Sequence, residues 1–290
     1  MSAGEFCTNF QLASDYLITG VKKLISVKGA HDLEIHIAPY GESLLYPSLF
    51  DVVRQVAGIP GISRISMQTN GLLLDENKVD TLVAAGLTRF NISINTLNET
   101  QAAQLANVPS YDMQKLLRVF NYILSGSVDL LLAPVWFPKV NDEGIIDIIR
   151  FVKKKRSEGF SEKKLQLGIQ KYLTYKTGRK LGKIRPKTWD YFYNQLRILE
   201  KTHSIKLVLS PTDFGIHRRD HLTVPLITGN RTMAEILMQG RYPHEWIGRI
   251  NDDWAIKIIS RHSYQGWEKV PVIVQKVKSK ESLVTGIVQD

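Results

Sequence analysis

From residue 14 to about residue 212, apolar side chains switch between the 3.6-residue period of helices and the two-residue period of strands. Leu17, Val21, Leu24 and Ile25 share one helical face behind Asp15, a capping residue, and Lys28-Gly29 closes that helix. Leu33 to Ala38 alternates as a strand. The pattern then predicts a helix from Ser48 to the breaker at 58–61, a strand over 64–67, and a helix over 75–85 closed by Gly86. A strand over 89–94 and a helix over 113–124 follow. The almost wholly apolar run 128–136 reads as a strand covered on both faces. A helix over 142–154, a strand over 165–170, a helix over 189–200 and a strand over 205–210 complete the series.

Strands separated by helices predict right-handed crossovers and a parallel sheet. Six strands are too few for a closed eight-fold barrel, so an α/β fold of open or partial-barrel form is expected. Beyond residue 212 the chain changes character. Short β-branched and aromatic segments at 230–238, 246–250, 255–260, 270–276 and 283–288 predict a small antiparallel barrel. The expected domains are therefore 1–212 and 213–290, the second a small, mostly-β module of TRAM or OB type.

With 43% hydrophobic residues, the 290-residue chain can bury a core, which excludes disorder and fibrous classes. Its formal charge of +10 favours an anionic partner. Cys7 is the one cysteine, so an intrachain disulfide and an all-cysteine metal site are both excluded. No apolar run approaches the ~18 residues of a membrane span, and the N-terminus lacks a secretory pattern, so a soluble cytoplasmic protein is expected. His217 and His221 are spaced for a metal on a helix, but no third ligand accompanies them and no metal site is expected.

Ligands of parallel α/β domains sit beyond the C-terminal strand ends. There the chain places Gly41-Glu42-Ser43, then Thr69-Asn70-Gly71, then Asn91, Ser93 and Asn95, then Pro134-Val135 followed by Asn141-Asp142. Each group alone is ordinary turn chemistry. Together, in this order on consecutive strands, they resemble the radical S-adenosylmethionine (SAM) superfamily over roughly residues 10–210.

That resemblance implies a partial (β/α)6 TIM-like barrel, SAM as cofactor, and 5′-deoxyadenosyl radical chemistry from a [4Fe–4S] cluster. It assigns Gly41, Glu42 and Ser43, with Thr69 and Asn70, to the cofactor. Ser93 and Asn95 would lie near the ribose, and Pro134 and Val135 near the adenine. Ser43 stands where the family has proline, and weaker preorganisation of that turn is expected. The three clustered cysteines that hold the family's cluster have no counterpart, and the first barrel strand is expected to be missing. A fragment or mis-started reading frame, a degenerate relative, and a separate chain supplying the missing part are all consistent with this.

Between Lys153 and Lys187 thirteen basic residues face only Glu158 and Glu162, a surplus larger by one than the whole chain's +10. Lys171, Lys176, Arg179, Lys180, Lys183 and Arg185 lie here, with Tyr172, Tyr175 and Trp189 in or beside the stretch. Cations interleaved with aromatic planes suit RNA such as tRNA, although charge runs are also common on solvated helix ends. A small barrel after such a domain also resembles the TRAM-type RNA-binding module of some tRNA-modifying relatives. Expected function is thus radical SAM chemistry on RNA or another anionic substrate. The alternative is a non-catalytic SAM- or RNA-binding protein that kept the scaffold.

Overall fold

The computed structural model describes residues 11–39, 41–174, 184–217, 223–240, 242–251, 254–278 and 283–289. The chain divides into two compact units, Met1–Ser210 and Pro211–Asp290.

In the first unit, strands β1 (Leu33–Ile37), β2 (Ile62–Thr69), β3 (Arg89–Ile92), β4 (Asp129–Leu132) and β6 (Leu165–Leu167) form a parallel sheet in that order. Helices α1 (Ser14–Lys28), α2 (Leu49–Ala57), α3 (Glu76–Ala84), α4 (Glu99–Ala106), α5 (Met113–Ser125), α6 (Asp142–Ser157) and α7 (Trp189–His203) connect or flank the strands. Asp75 and Asp112 cap α3 and α5 by accepting from Lys78 N and Lys115 N, each at 2.8 Å. Asp15 is not a cap. It sits in the first turn of α1 behind Ala13, where its charge opposes the positive helix end.

Ile65 and Met67 of β2, Phe90 and Ile92 of β3, and Leu130 and Leu132 of β4 pack against Val53, Leu82, Phe120 and Ile148 of the helices. Each side chain so buried contributes about 1.5–3 kcal/mol relative to exposure. Of the expected buried face of α1, Ile25 is buried but Leu24 is 63% exposed, and Ile18, outside that expected set, is buried as well.

Two expected strands divide, and a third does not form. Pro134 has no amide hydrogen, so the run 128–136 breaks into β4 and β5 (Val135–Trp136). Likewise 165–170 breaks into β6 and β7 (Gln170–Lys171), and β5 pairs with β7 as a separate two-stranded ribbon. Residues 205–210 join no ladder, because the Leu207 and Val208 amides both donate to the Glu200 carboxylate at 2.7 Å. Among the described residues the sheet therefore has five strands rather than six, with β1 at one edge.

The second unit is a closed barrel of β8 (Arg231–Gln239), β9 (Glu245–Arg249), β10 (Ala255–Ile259), β11 (Lys269–Lys278) and β12 (Leu283–Val288). Its circular order is β8-β9-β10-β12-β11, and the β10–β12 pair is parallel where an all-antiparallel barrel was expected. Ala234, Ile236, Ile256, Ile258, Val272, Val274 and Val284 fill its interior. No helix among the described residues is long and apolar enough to cross a membrane.

Candidate cofactor and substrate site

Partners in a parallel register point to the same side of a sheet. The observed register gathers Glu34, His36, Arg64, Ser66, Gln68, Arg89 and Asn91 on the face away from the apolar helix-packed side. Asp129 and Gln166 extend it across β4 and β6. Parallel sheets are usually apolar on both faces, so this one is built to hold polar groups.

One network organises the polar face. Glu34 Oε1 accepts from Arg89 Nη2 at 2.7 Å and from Ser66 Oγ at 2.6 Å. Since the single Ser66 proton goes to Glu34, the 2.8 Å contact from His36 Nδ1 to Ser66 Oγ has the imidazole as donor. Arg89 Nε donates to Asn91 Oδ1 at 2.8 Å, while the buried Nη1 has no hydrogen-bond partner among the described residues. Burial pulls the His36 imidazole below its ordinary pKa, with Glu34 opposing and Arg89 reinforcing the shift. The Arg89 guanidinium is likewise lowered by burial, and Glu34 opposes this.

Beyond the strand ends, Glu42 ties two connections together. Its carboxylate accepts from Thr69 Oγ1 at 2.5 Å, Asn70 N at 2.9 Å and Leu44 N at 3.2 Å. Buried Ser43 donates from Oγ to the Gln68 carbonyl at 2.6 Å, a cross-link that proline cannot make. The expected loosening of this turn is therefore offset by a hydrogen bond. Among the described residues, its chain neighbours aside, nothing lies within 4 Å of a Cβ added at Gly41. Gly71 has φ +76°, and a Cβ there would come within 2.7 Å of Leu116 Cδ1. Asn70 Oδ1 accepts from Leu72 N at 2.9 Å.

Ser93 Oγ accepts from Gln68 Nε2 at 2.6 Å, which joins it to the same group. Asn95 belongs to a second group. Its Oδ1 accepts from Val135 N at 2.8 Å, and its carbonyl accepts from Asn141 Nδ2 at 2.8 Å. Asn141, fully buried, also donates to the Val135 carbonyl and accepts from Phe137 N. The Asn95 acceptor is thus used to fix the chain at Val135. The Pro134 carbonyl accepts from Gln170 N at 2.7 Å.

The family profile of the radical SAM superfamily matches residues 18–152. An uncharacterized protein of Methanocaldococcus jannaschii is 32% identical over 302 residues, covering 97% of this chain and 69% of that protein. The chain belongs to the radical SAM superfamily. Relatives also include the GTP 3′,8-cyclase of Clostridium perfringens, 32% identical over 114 residues, which cover 39% of this chain and 34% of the cyclase. Streptococcus suis SuiB bound to S-adenosylmethionine aligns with a TM-score of 0.49 at 14% identity, over 70% of this chain and 42% of SuiB.

Membership in the radical SAM superfamily implies SAM and a [4Fe–4S] cluster. For SAM the donor set fits: an open glycine rim, fixed backbone at 41–43 and 134–135, and polar side chains beneath. For the cluster it does not fit. Three thiolates are needed, and the chain has Cys7 alone, which lies outside the described residues. Among the described residues, no three His, Cys, Asp or Glu side chains converge on a metal position.

Of the basic stretch, Lys176, Arg179, Lys180, Lys183 and Tyr175 lie outside the described residues. Several of the others hold the fold together. Lys155 pairs with Glu158, Arg156 pairs with Glu162 and donates to the Leu165 carbonyl, and Lys164 donates to the carbonyls of Gly126 and Val128. Tyr172 is buried against Phe137 at 4.9 Å, which corrects its expected role as an exposed stacking plane. Lys171 Nζ instead lies 4.9 Å from the centre of the Trp189 ring, and Lys187 Nζ 5.5 Å from Tyr191. Those rings are 52% and 39% exposed, and Tyr191 stacks on Trp136 of β5. Arg185 is exposed nearby in sequence.

Sequence reasoning named the rim but missed the polar floor of Glu34, His36, Ser66 and Arg89. The signal was there: strands flanked by helices that nevertheless alternate polar and apolar residues.

Proposed function

We propose that this chain is the SAM-binding and substrate-orienting body of a radical SAM enzyme that acts on RNA or another anionic substrate. The observation carrying this reading is the Glu42 carboxylate, which knits Leu44, Thr69 and Asn70 into one rim beside the open space at Gly41. Gly41 to Ser43 then receive the methionyl end of SAM, Ser93 and Asn95 face the ribose, and Pro134 and Val135 flank the adenine. Radical formation would require an electron from a [4Fe–4S] cluster, and the single cysteine of this chain cannot hold one. Titration calorimetry with SAM tests the reading. Saturable binding is expected, weakened about tenfold in Glu42→Ala, since hydrogen bonds to a charged acceptor are worth roughly 1.5–3 kcal/mol each. Absence of saturable binding overturns it.

For the substrate, Lys171 and Lys187 beside Trp189 and Tyr191, with exposed Arg185 near in sequence, support an RNA-binding edge. A lysine over an exposed ring is worth about 0.5–1 kcal/mol. A stacked base is worth roughly 1–3 kcal/mol, so a base displaces the lysine and frees its ammonium for phosphate. Binding of tRNA should weaken linearly in log salt, with a slope of roughly −0.7 per phosphate contacted for single strands. Replacing Lys171, Arg185 and Lys187 by Ala should flatten that slope, and an unchanged slope removes this edge from the reading. The single cysteine favours a second reading, a SAM- or RNA-binding protein without catalysis.

A further inference from the structure

Trp267 of the C-terminal barrel has φ +73° and is 66% exposed. A bulky side chain is disfavoured at positive φ, where glycine or asparagine is at ease. Burial does not offset that strain here, because the ring stands in solvent. The conformation is nevertheless held firmly. Trp267 N donates to the Ile236 carbonyl at 2.6 Å, Ile236 N donates to the Glu268 carbonyl at 2.7 Å, and Gln265 N donates to Glu268 Oε1 at 2.6 Å. The loop is pinned where β8 carries an irregularity between Ile236 and Met238, a device that re-aims side chains. Arg249 of β9 holds its guanidinium 5.5 Å from the ring centre, anchored to Glu235 Oε2 at 2.6 Å.

On the outer surface of β8, β9 and β10, Arg249 and Ile247 of β9 lie in register with Ala255 and Lys257 of β10. Lys269 of β11 stands opposite Glu235 in the strand register. Five-stranded barrels with Greek-key connections bind oligonucleotides or oligosaccharides on the face of their second and third strands, here β9 and β10. Arg231, Arg249, Lys257 and Lys269 stand against Glu235, Glu245 and Glu268, a surplus of one cation that favours an anionic polymer over a neutral sugar.

We propose that the outer face of β8, β9 and β10 binds single-stranded nucleic acid, with one base stacked on Trp267 and Arg249 fixing the ring and meeting the adjoining phosphate. This rests on the RNA reading above only for the kind of polymer, and it concerns a different surface. The stack itself carries no charge, so its loss lowers affinity without changing the salt slope, which the cations set.

The test uses the full chain and a fluorescent oligouridylate of about twelve nucleotides, within the span of such barrels, read by anisotropy at several salt concentrations. Trp267→Ala and Trp267→Gly should each lower affinity about tenfold at every salt, the value of one lost stack, without changing the salt slope. Trp267→Phe should restore most of the affinity. Trp267→Gly should melt no lower than the parent, since glycine relieves the positive φ, so lost binding is not lost folding. Alanines at Lys171, Arg185 and Lys187 should change the slope and leave the Trp267 effect intact, which separates failure of this surface from failure of the first. Equal binding by parent and Trp267→Ala overturns the proposal. Equal competition by duplex RNA, or competition by a neutral oligosaccharide, does so too.

Discussion

Glu34 and Arg89 come from strands that are not neighbours in the sheet, yet Arg89 Nη2 meets Glu34 Oε1 at 2.7 Å across the intervening Ser66. The Arg89 side chain is only 5% exposed. A charge so enclosed is tolerated because its partner is beside it, and removing the partner leaves it uncompensated. Glu34→Ala should therefore cost about 3 kcal/mol in urea unfolding, while Glu34→Leu combined with Arg89→Met should recover most of that loss. A double variant no more stable than Glu34→Ala would show that the pair is not the source of the cost.

His36 gives the fold a pH dependence of defined sign. Its folded pKa is lowered, chiefly by burial, so the unfolded chain takes up a proton first as pH falls. The contribution is complete above the ordinary histidine value of about 6.5 and declines below it. Urea midpoints at neutral and mildly acidic pH should differ less in His36→Gln than in the parent. An identical difference in both would assign the pH dependence to other groups.

Ser43 should prove a stabilising residue rather than a defect at its position. Ser43→Ala leaves the Gln68 carbonyl without its donor and should cost about 1–2 kcal/mol, read from the urea midpoint. Calorimetry on the same variant should show weaker SAM binding, because the turn it fixes carries Gly41 and Glu42.

Iron reconstitution under anaerobic conditions should leave this chain without a cluster, since one thiol cannot replace three. Iron analysis and visible charge-transfer absorbance decide the point. Four irons per polypeptide would require ligands other than cysteine.

Among the described residues no strand pairs with the outer edge of β1, and that edge should promote self-association. Ile35 and Ile37 of this strand are only half-buried, and Tyr16, Leu24 and Val27 of α1 are exposed. An unpaired strand edge is a template for another strand. Sedimentation velocity should show dimers or larger species growing with concentration, and a strict monomer would count against an open edge.

Periodicity alone determined that helices and parallel strands alternate through the first unit, and that a small β module follows. The reason is that burial of an apolar stripe acts locally, at every turn of a helix and every second residue of a strand. The order of the rim segments, from Gly41-Glu42-Ser43 through Thr69-Asn70 to Asn95 and Pro134-Val135, was equally legible, because topology carries consecutive strand ends to one edge. Tertiary structure decided what pattern cannot encode. Glu200 captured the amides of Leu207 and Val208, so an apolar run with strand spacing joined no ladder. Asn95 and Asn141 were committed to fixing Val135, Tyr172 was buried against Phe137, and register brought Glu34 to Arg89. Each outcome depends on hydrogen bonds or contacts between residues distant in sequence. Their strength comes from the exclusion of water, which only the folded chain provides.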